Sequence, residues 1–125
     1  MKKYPWQSDE IILLLHIFFH YLTNIIEGCN NNSLNKDLIQ LSHHQRTINL
    51  HHNNFETNPR YRNVNGMKMM IQNLRYIHFV ENNISSPRGL YQYPKYFIPY
   101  YRKYYKDINL LENDYYAVLD KYNLD

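Results

Sequence analysis

Histidine is the residue type in this chain with the most evident capacity for chemistry. Two pairs are adjacent in sequence, at 43–44 and 51–52, and His16 and His20 are four residues apart, which places both on one face of a helix. Zinc sites usually add cysteines or carboxylates at tight spacing, but His-Glu-x-x-His and Cys-x-x-Cys are both absent. We therefore predict no metal and no cofactor, and we expect His16 and His20 to be locally hydrogen-bonded core or boundary residues.

Other catalytic residue types do not form a pattern either. Cys29 is the single cysteine, so no internal disulfide can form, and it has no basic neighbour in sequence to lower its thiol pKa. The carboxylates before the last twenty residues are scattered, and none pairs with another as a general acid and base. The chain also lacks a glycine-rich phosphate loop. The sequence therefore predicts that the chain is not an enzyme.

The distribution of charge favours a binding function. Residues 1–60 carry five basic and five acidic side chains, and residues 107–125 carry one basic and five acidic. Residues 61–106 carry a single acidic residue and a net charge of +7. The eight basic residues of this segment are Arg62, Lys68, Arg75, Arg88, Lys95, Arg102, Lys103 and Lys106. Basic residues interleaved with aromatic and amide side chains are typical of a polyanion binder. The alternative is a solvated face that the acidic tail neutralises.

One stretch of this basic segment, Tyr61–Tyr76, has the pattern of an amphipathic helix. Apolar residues recur on one side at helical spacing, at Val64, Met67, Ile71 and Leu74. The other side carries the residue types that contact phosphates and base edges, namely Asn65, Lys68, Gln72 and Arg75. A plain surface helix with a solvated polar face has the same pattern, so both interpretations stay open.

The remaining pattern predicts one compact all-α domain over residues 1–125. We expect helices at about 8–23, 33–50, 64–77, 95–106 and 112–122. The first should be the core helix, because it is apolar on nearly all sides, and its apolar run is too short to span a membrane. No secretory signal peptide is visible, so a cytoplasmic location is expected. Some strand character at Tyr76–Val80 leaves a short β wing as an alternative.

Several motifs follow one another in the order found in a known family. Pro5-Trp6 with Asp9-Glu10 is similar to "P-W-t-x-d-E-L", and Asp37-Leu38 through Leu41-Ser42 is similar to a helix with "E-L-S". Arg62 to Met67 with Asn73-Leu74 is similar to "R-N-p-N-G-v-x-m-K-L-x-N-F", and Gly89-Leu90 and Tyr96-Phe97 match a later turn and aromatic helix. These motifs resemble the N-terminal DNA-recognition module of predicted HNH-type restriction endonucleases. The chain departs from the family at Met70, where the family has lysine, and it lacks the HNH motif itself.

The resemblance and the basic segment together imply a DNA-binding specificity module with a helix-turn-helix-like trihelical core. The helix at 64–77 would contact duplex DNA, plain or base-modified, and a linked or separate nuclease would be the partner in restriction and defence. The predicted base or groove contacts are Asn65, Lys68, Gln72 and Arg75. The predicted phosphate contacts are Arg62, Arg88, Arg102, Lys103 and Lys106. The alternative function is a protein–protein interaction module, such as a small phage or mobile-element inhibitor of a defence enzyme.

Overall fold

The computed structural model of the chain describes residues 6–28, 31–53, 62–84 and 94–124. Within these ranges the chain forms helices and no strand, which confirms the all-α prediction. The helices are α1 (Ser8–His20), α2 (Leu22–Glu27), α3 (Asn32–Asn53), α4 (Val64–Glu81), α5 (Phe97–Lys106) and α6 (Ile108–Lys121). None of them combines the length and the apolar character needed to cross a bilayer.

Helix α1 is the core of the domain, as the sequence predicts. Every residue from Ile11 to Leu15 is buried, and so is Phe18, as expected of a helix that is apolar on most sides. This burial follows from its position, because α1 packs against each of the other described helices. Helices α1, α3 and α4 also pack pairwise on one another, which forms the predicted trihelical core.

The predicted first helix, at 8–23, is in fact interrupted. Helix α1 ends at His20, Tyr21 has non-helical dihedral angles, and α2 continues as a separate short helix to Glu27. Gly28 ends α2 with a φ of 74°, a left-handed conformation that glycine adopts without steric cost. Its N–H donates to carbonyls of the last turn of α2.

Helix α4 is longer than predicted and includes Tyr76–Val80. That segment is therefore helical and does not form a strand. Ile77, His78 and Phe79 are all buried there, and packing of this kind overrides a weak local β preference. Residues 85–93, where the remainder of a wing would lie, are outside the described residues.

Helix α6 begins at Ile108, four residues earlier than predicted. The Asp107 side chain accepts a hydrogen bond from the Leu110 backbone N–H at 3.0 Å, so it caps the helix. Helix α5 begins at Phe97, and Pro99 lies in its first turn, where a proline is tolerated.

Candidate nucleic-acid interface

The beginning of α4 is fixed by a side-chain cap. Asn63 Oδ1 accepts a hydrogen bond from the Gly66 backbone N–H at 2.8 Å, which satisfies one of the unpaired N–H groups of the first turn. The N-cap residue of α4 is therefore Asn63. A Cβ atom at Gly66 would lie 3.2 Å from the same Asn63 oxygen, so the position favours glycine.

Helix α4 has the predicted division between an apolar and a polar side. Met67, Ile71 and Leu74 are buried against the core. Asn65, Lys68 and Gln72 are exposed on the opposite side, and Met69 lies among them with 58% of its surface exposed. Three of the four predicted base or groove contacts are therefore accessible on one helical face.

Arg75, the fourth predicted base contact, has hydrogen-bond partners within the fold. Its Nε donates to the Ile25 carbonyl at 2.9 Å and its Nη2 donates to the Ile26 carbonyl at 3.0 Å. The guanidinium also lies 5.1 Å from the centre of the Phe79 ring. The last carbonyls of a helix need donors from outside it, so Arg75 completes α2 and attaches it to α4. Two of its five N–H groups are therefore bonded within the fold.

Arg62 was predicted to contact phosphate, and the structure places it inside the fold. Its Nε donates to Glu10 Oε2 at 2.8 Å, and the guanidinium carbon lies 4.4 Å from the centre of the Trp6 ring. The Arg62 side chain is 11% exposed and the Glu10 side chain is 1% exposed. The Ser42 hydroxyl donates to the Arg62 carbonyl, and Gln45 Nε2 donates to the Glu10 carbonyl. Arg62 is therefore a buried structural residue.

The other predicted phosphate contacts differ in availability. The Arg102 side chain is 62% exposed, but its guanidinium forms a bidentate ion pair with the Glu81 carboxylate. This ion pair joins α5 to the end of α4. The same hydrogen bonds hold the pKa of the Glu81 carboxyl below its usual value. Lys103 and Lys106 are exposed on α5, and Arg88 lies outside the described residues. Among the described residues of this set, Lys103 and Lys106 are thus exposed, and Arg102 is exposed but paired with Glu81.

A cleft with a volume of about 490 Å³ opens beside the polar side of α4, between α4, α2 and the beginning of α3. Its floor consists of Ile25, Leu34, Leu38 and Ile71, and its remaining lining consists of Asn24, Gly28, Asn31, Asn35, Lys68, Met69 and Gln72. No carboxylate occurs among these lining residues. The sequence does not predict that these asparagines approach α4, since this depends on how α2 and α3 pack.

Two of these asparagines are held in place by hydrogen bonds. Asn31 Oδ1 accepts the Leu34 backbone N–H at 3.1 Å, which caps the beginning of α3. Asn31 Nδ2 donates to Asn24 Oδ1, also at 3.1 Å. The rim of the cleft that faces α4 is therefore fixed by the same bonds that connect α2 to α3.

The histidines form a second cluster. His16, His20 and His44 line a pocket of about 130 Å³ between α1, α3 and α6, together with Asp37 and Tyr115. Among the described residues, however, no three histidine, cysteine or carboxylate side chains are arranged to hold a metal ion. That His16 on α1 and His44 on α3 line the same pocket could not be predicted from the spacing of either.

His16 has contacts that explain its position in the core. Its ring stacks on Tyr115 with centroids 3.6 Å apart, and its Nε2 lies 3.0 Å from Glu112 Oε1. Burial lowers the pKa of His16, and the nearby Glu112 carboxylate partly opposes that effect. His16 lies at the boundary of the core as expected, but its hydrogen bond is not local, because Glu112 lies on α6 and the bond connects α1 to α6. His20 is exposed.

The predicted DNA contacts thus separate into two groups. Asn65, Lys68, Gln72, Lys103 and Lys106 are exposed. Arg62, Arg75 and Arg102 are bonded within the fold. No protein-family model, curated protein or solved structure matches the chain.

Proposed function

We propose that the chain is a binding module for duplex DNA, plain or base-modified, and that the polar side of α4 is its contact surface. The observation that carries the proposal is the exposure of Asn65, Lys68 and Gln72 along successive turns of one helix whose opposite side is buried. A helix held in this way presents its side chains at fixed positions, and an α-helix fits the major groove of B-DNA. Amide and lysine side chains are suited to base edges and phosphates.

The charge of the surface supports the same proposal. Helix α4 has no acidic residue before Glu81, and Glu81 is paired with Arg102. The polar side of α4 therefore offers no carboxylate that would repel a phosphate backbone. Lys103 and Lys106 on α5 supply further accessible positive charge. The proposal also includes a linked or separate nuclease as a partner. Its one support is the resemblance of the sequence motifs to the DNA-recognition module of restriction endonucleases.

A titration of DNA binding against salt tests the proposal. If Lys68, Lys103 and Lys106 each neutralise one phosphate, the slope of log K against log [salt] should be about −3. Lys68→Ala should make this slope shallower by about 1. Lys121→Ala is the matched control, since Lys121 is exposed on α6 and paired with Asp9. Failure to bind any duplex at low salt, plain or base-modified, would contradict the proposal.

A competing function is protein binding, which a groove between α1–α2 and α5–α6 favours; its lining is partly apolar and includes His16, His20 and Glu112. Phe19 and Leu22 line the groove together with Tyr105 and Ile108, which are 43% and 45% exposed. Exposed aromatic and aliphatic side chains of this kind are frequent at interfaces. A protein partner whose binding is lost in Ile108→Asp and retained in Lys68→Ala, without any DNA affinity, would favour this function.

A further inference from the structure

We propose that the cleft between α2, the beginning of α3 and α4 holds a single unstacked nucleobase of the bound nucleic acid. This inference rests on the proposed function, and it assigns a ligand class to a surface beside the polar side of α4. The ligand would be a planar, uncharged heterocycle that is attached to a phosphate backbone.

The floor of the cleft is suited to a flat ring. Ile25, Leu34, Leu38 and Ile71 form an apolar surface at its base, and each is at most 9% exposed. Specific small-molecule sites are concave, mostly apolar and about 300–1,000 Å³ in volume, and this cleft has about 490 Å³. A base that enters it would exchange stacking in the duplex for burial against these side chains.

The rim of the cleft supplies the hydrogen-bonding groups that a base edge needs. Asn35 and Gln72 are exposed amides on opposite sides, one on α3 and one on α4. Each side-chain amide has a carbonyl oxygen that accepts hydrogen bonds and an NH₂ group that donates two. Such an amide can therefore bind a base edge that carries both a donor and an acceptor. The Asn31–Asn24 hydrogen bond fixes the adjoining wall before any ligand binds.

The charge of the residues that line the cleft also favours a neutral base attached to a phosphate. Lys68 is the charged residue among the described lining residues, and no carboxylate accompanies it. A cationic ligand would gain nothing from such a site. A base followed by its phosphate would place the neutral ring on the apolar floor and the negative charge beside Lys68.

Met69 provides the means of displacing a base from the stack. It is 58% exposed and lies at the rim of the cleft, next to Lys68 in sequence. Apolar side chains such as methionine are inserted between base steps by proteins that unstack DNA. Met69 would occupy the gap in the duplex while the displaced base occupies the cleft.

The experiment uses a duplex that carries 2-aminopurine, whose fluorescence is quenched by stacking. Saturation with the protein should raise this fluorescence several-fold at the bound position. A duplex with a mismatch at that position should bind about tenfold more tightly than the matched duplex, because its base is already unpaired. Met69→Ala should bind with an unchanged salt slope but with a smaller rise in fluorescence.

A second pair of variants tests the cleft itself. Asn35→Trp would fill the cleft from its rim and should abolish the rise in fluorescence. Asn32→Trp is the matched control, since Asn32 is exposed on the same helix and does not line the cleft. Duplex binding without any rise in fluorescence or preference for a mismatch would overturn this inference and leave the proposed function intact. Absence of duplex binding would overturn both.

Discussion

The Arg62 guanidinium donates to the Glu10 carboxylate across 52 residues of chain, with 2.8 Å between Nε and Oε2. The pair is covered by Trp6 and adjoins Ser42, whose hydroxyl donates to the Arg62 carbonyl. These four residues come from three stretches that are far apart in sequence. In three dimensions they form one structural contact between α1, α3 and the beginning of α4.

Removal of either charge from this contact should be strongly destabilising. Glu10→Gln and Arg62→Met would each leave one buried charge without its partner, which costs about 3–5 kcal/mol of the free energy of unfolding. The free energy of unfolding of the double variant should fall by much less than the sum of the losses in the two single variants. Urea unfolding of the four proteins measures this coupling, and strictly additive losses would show that the pair does not interact.

The cap of α4 should have a smaller and more local effect. Asn63→Ala removes the acceptor of the Gly66 N–H, and loss of such a cap costs about 1 kcal/mol. Asn65→Ala changes an exposed asparagine two residues later and should alter stability by less than about 0.5 kcal/mol. Thermal unfolding distinguishes the two, and equal losses would contradict the assignment of Asn63 as the cap.

Arg75 and Lys68 lie on the same helix but should differ in what they affect. Arg75→Ala would leave the Ile25 and Ile26 carbonyls without their donors and should lower stability by about 1–3 kcal/mol. Lys68→Ala should leave the free energy of unfolding unchanged and weaken DNA binding. Stability and affinity measured on both variants give the comparison. If Arg75→Ala keeps normal stability but binds DNA more weakly, Arg75 would be a DNA contact and not a structural residue.

Stability should fall in mildly acidic solution because of His78. This side chain is 7% exposed, its Nδ1 lies 2.7 Å from the Tyr101 hydroxyl, and burial lowers its pKa. Below about pH 6.5 the unfolded chain therefore binds a proton that the folded chain does not. The free energy of unfolding should be constant above that pH and decrease as the pH falls towards the folded pKa.

The effect should amount to about 1.4 kcal/mol for each unit by which the His78 pKa is lowered. Burial lowers the pKa of His16 as well, so it adds in the same direction. His78→Gln should flatten the pH profile, whereas His43→Gln, at an exposed position of α3, should retain it. A His78→Gln profile as steep as that of the parent protein would contradict this explanation.

The sequence alone determined the secondary structure class and the two sides of α4. Apolar residues at helical spacing predict helices wherever the pattern is long, and α1 is apolar on so many sides that its central position follows directly. The polar side of α4 was equally evident, and Asn65, Lys68 and Gln72 are exposed as their spacing predicts. These features depend on neighbours within a few turns of one helix.

Only the tertiary structure decided which charged residues are available to a partner. Arg62, Arg75 and Lys68 all belong to the basic segment 61–106, so the sequence does not distinguish them. In the fold, however, Arg62 binds a carboxylate on α1 and Arg75 binds carbonyls on α2, each about fifty residues away in sequence. The cleft has the same origin, since it joins asparagines of α2 and of the beginning of α3 to α4. Hydrogen-bond partners and concave surfaces are set by how helices pack, and local periodicity contains no information about that packing.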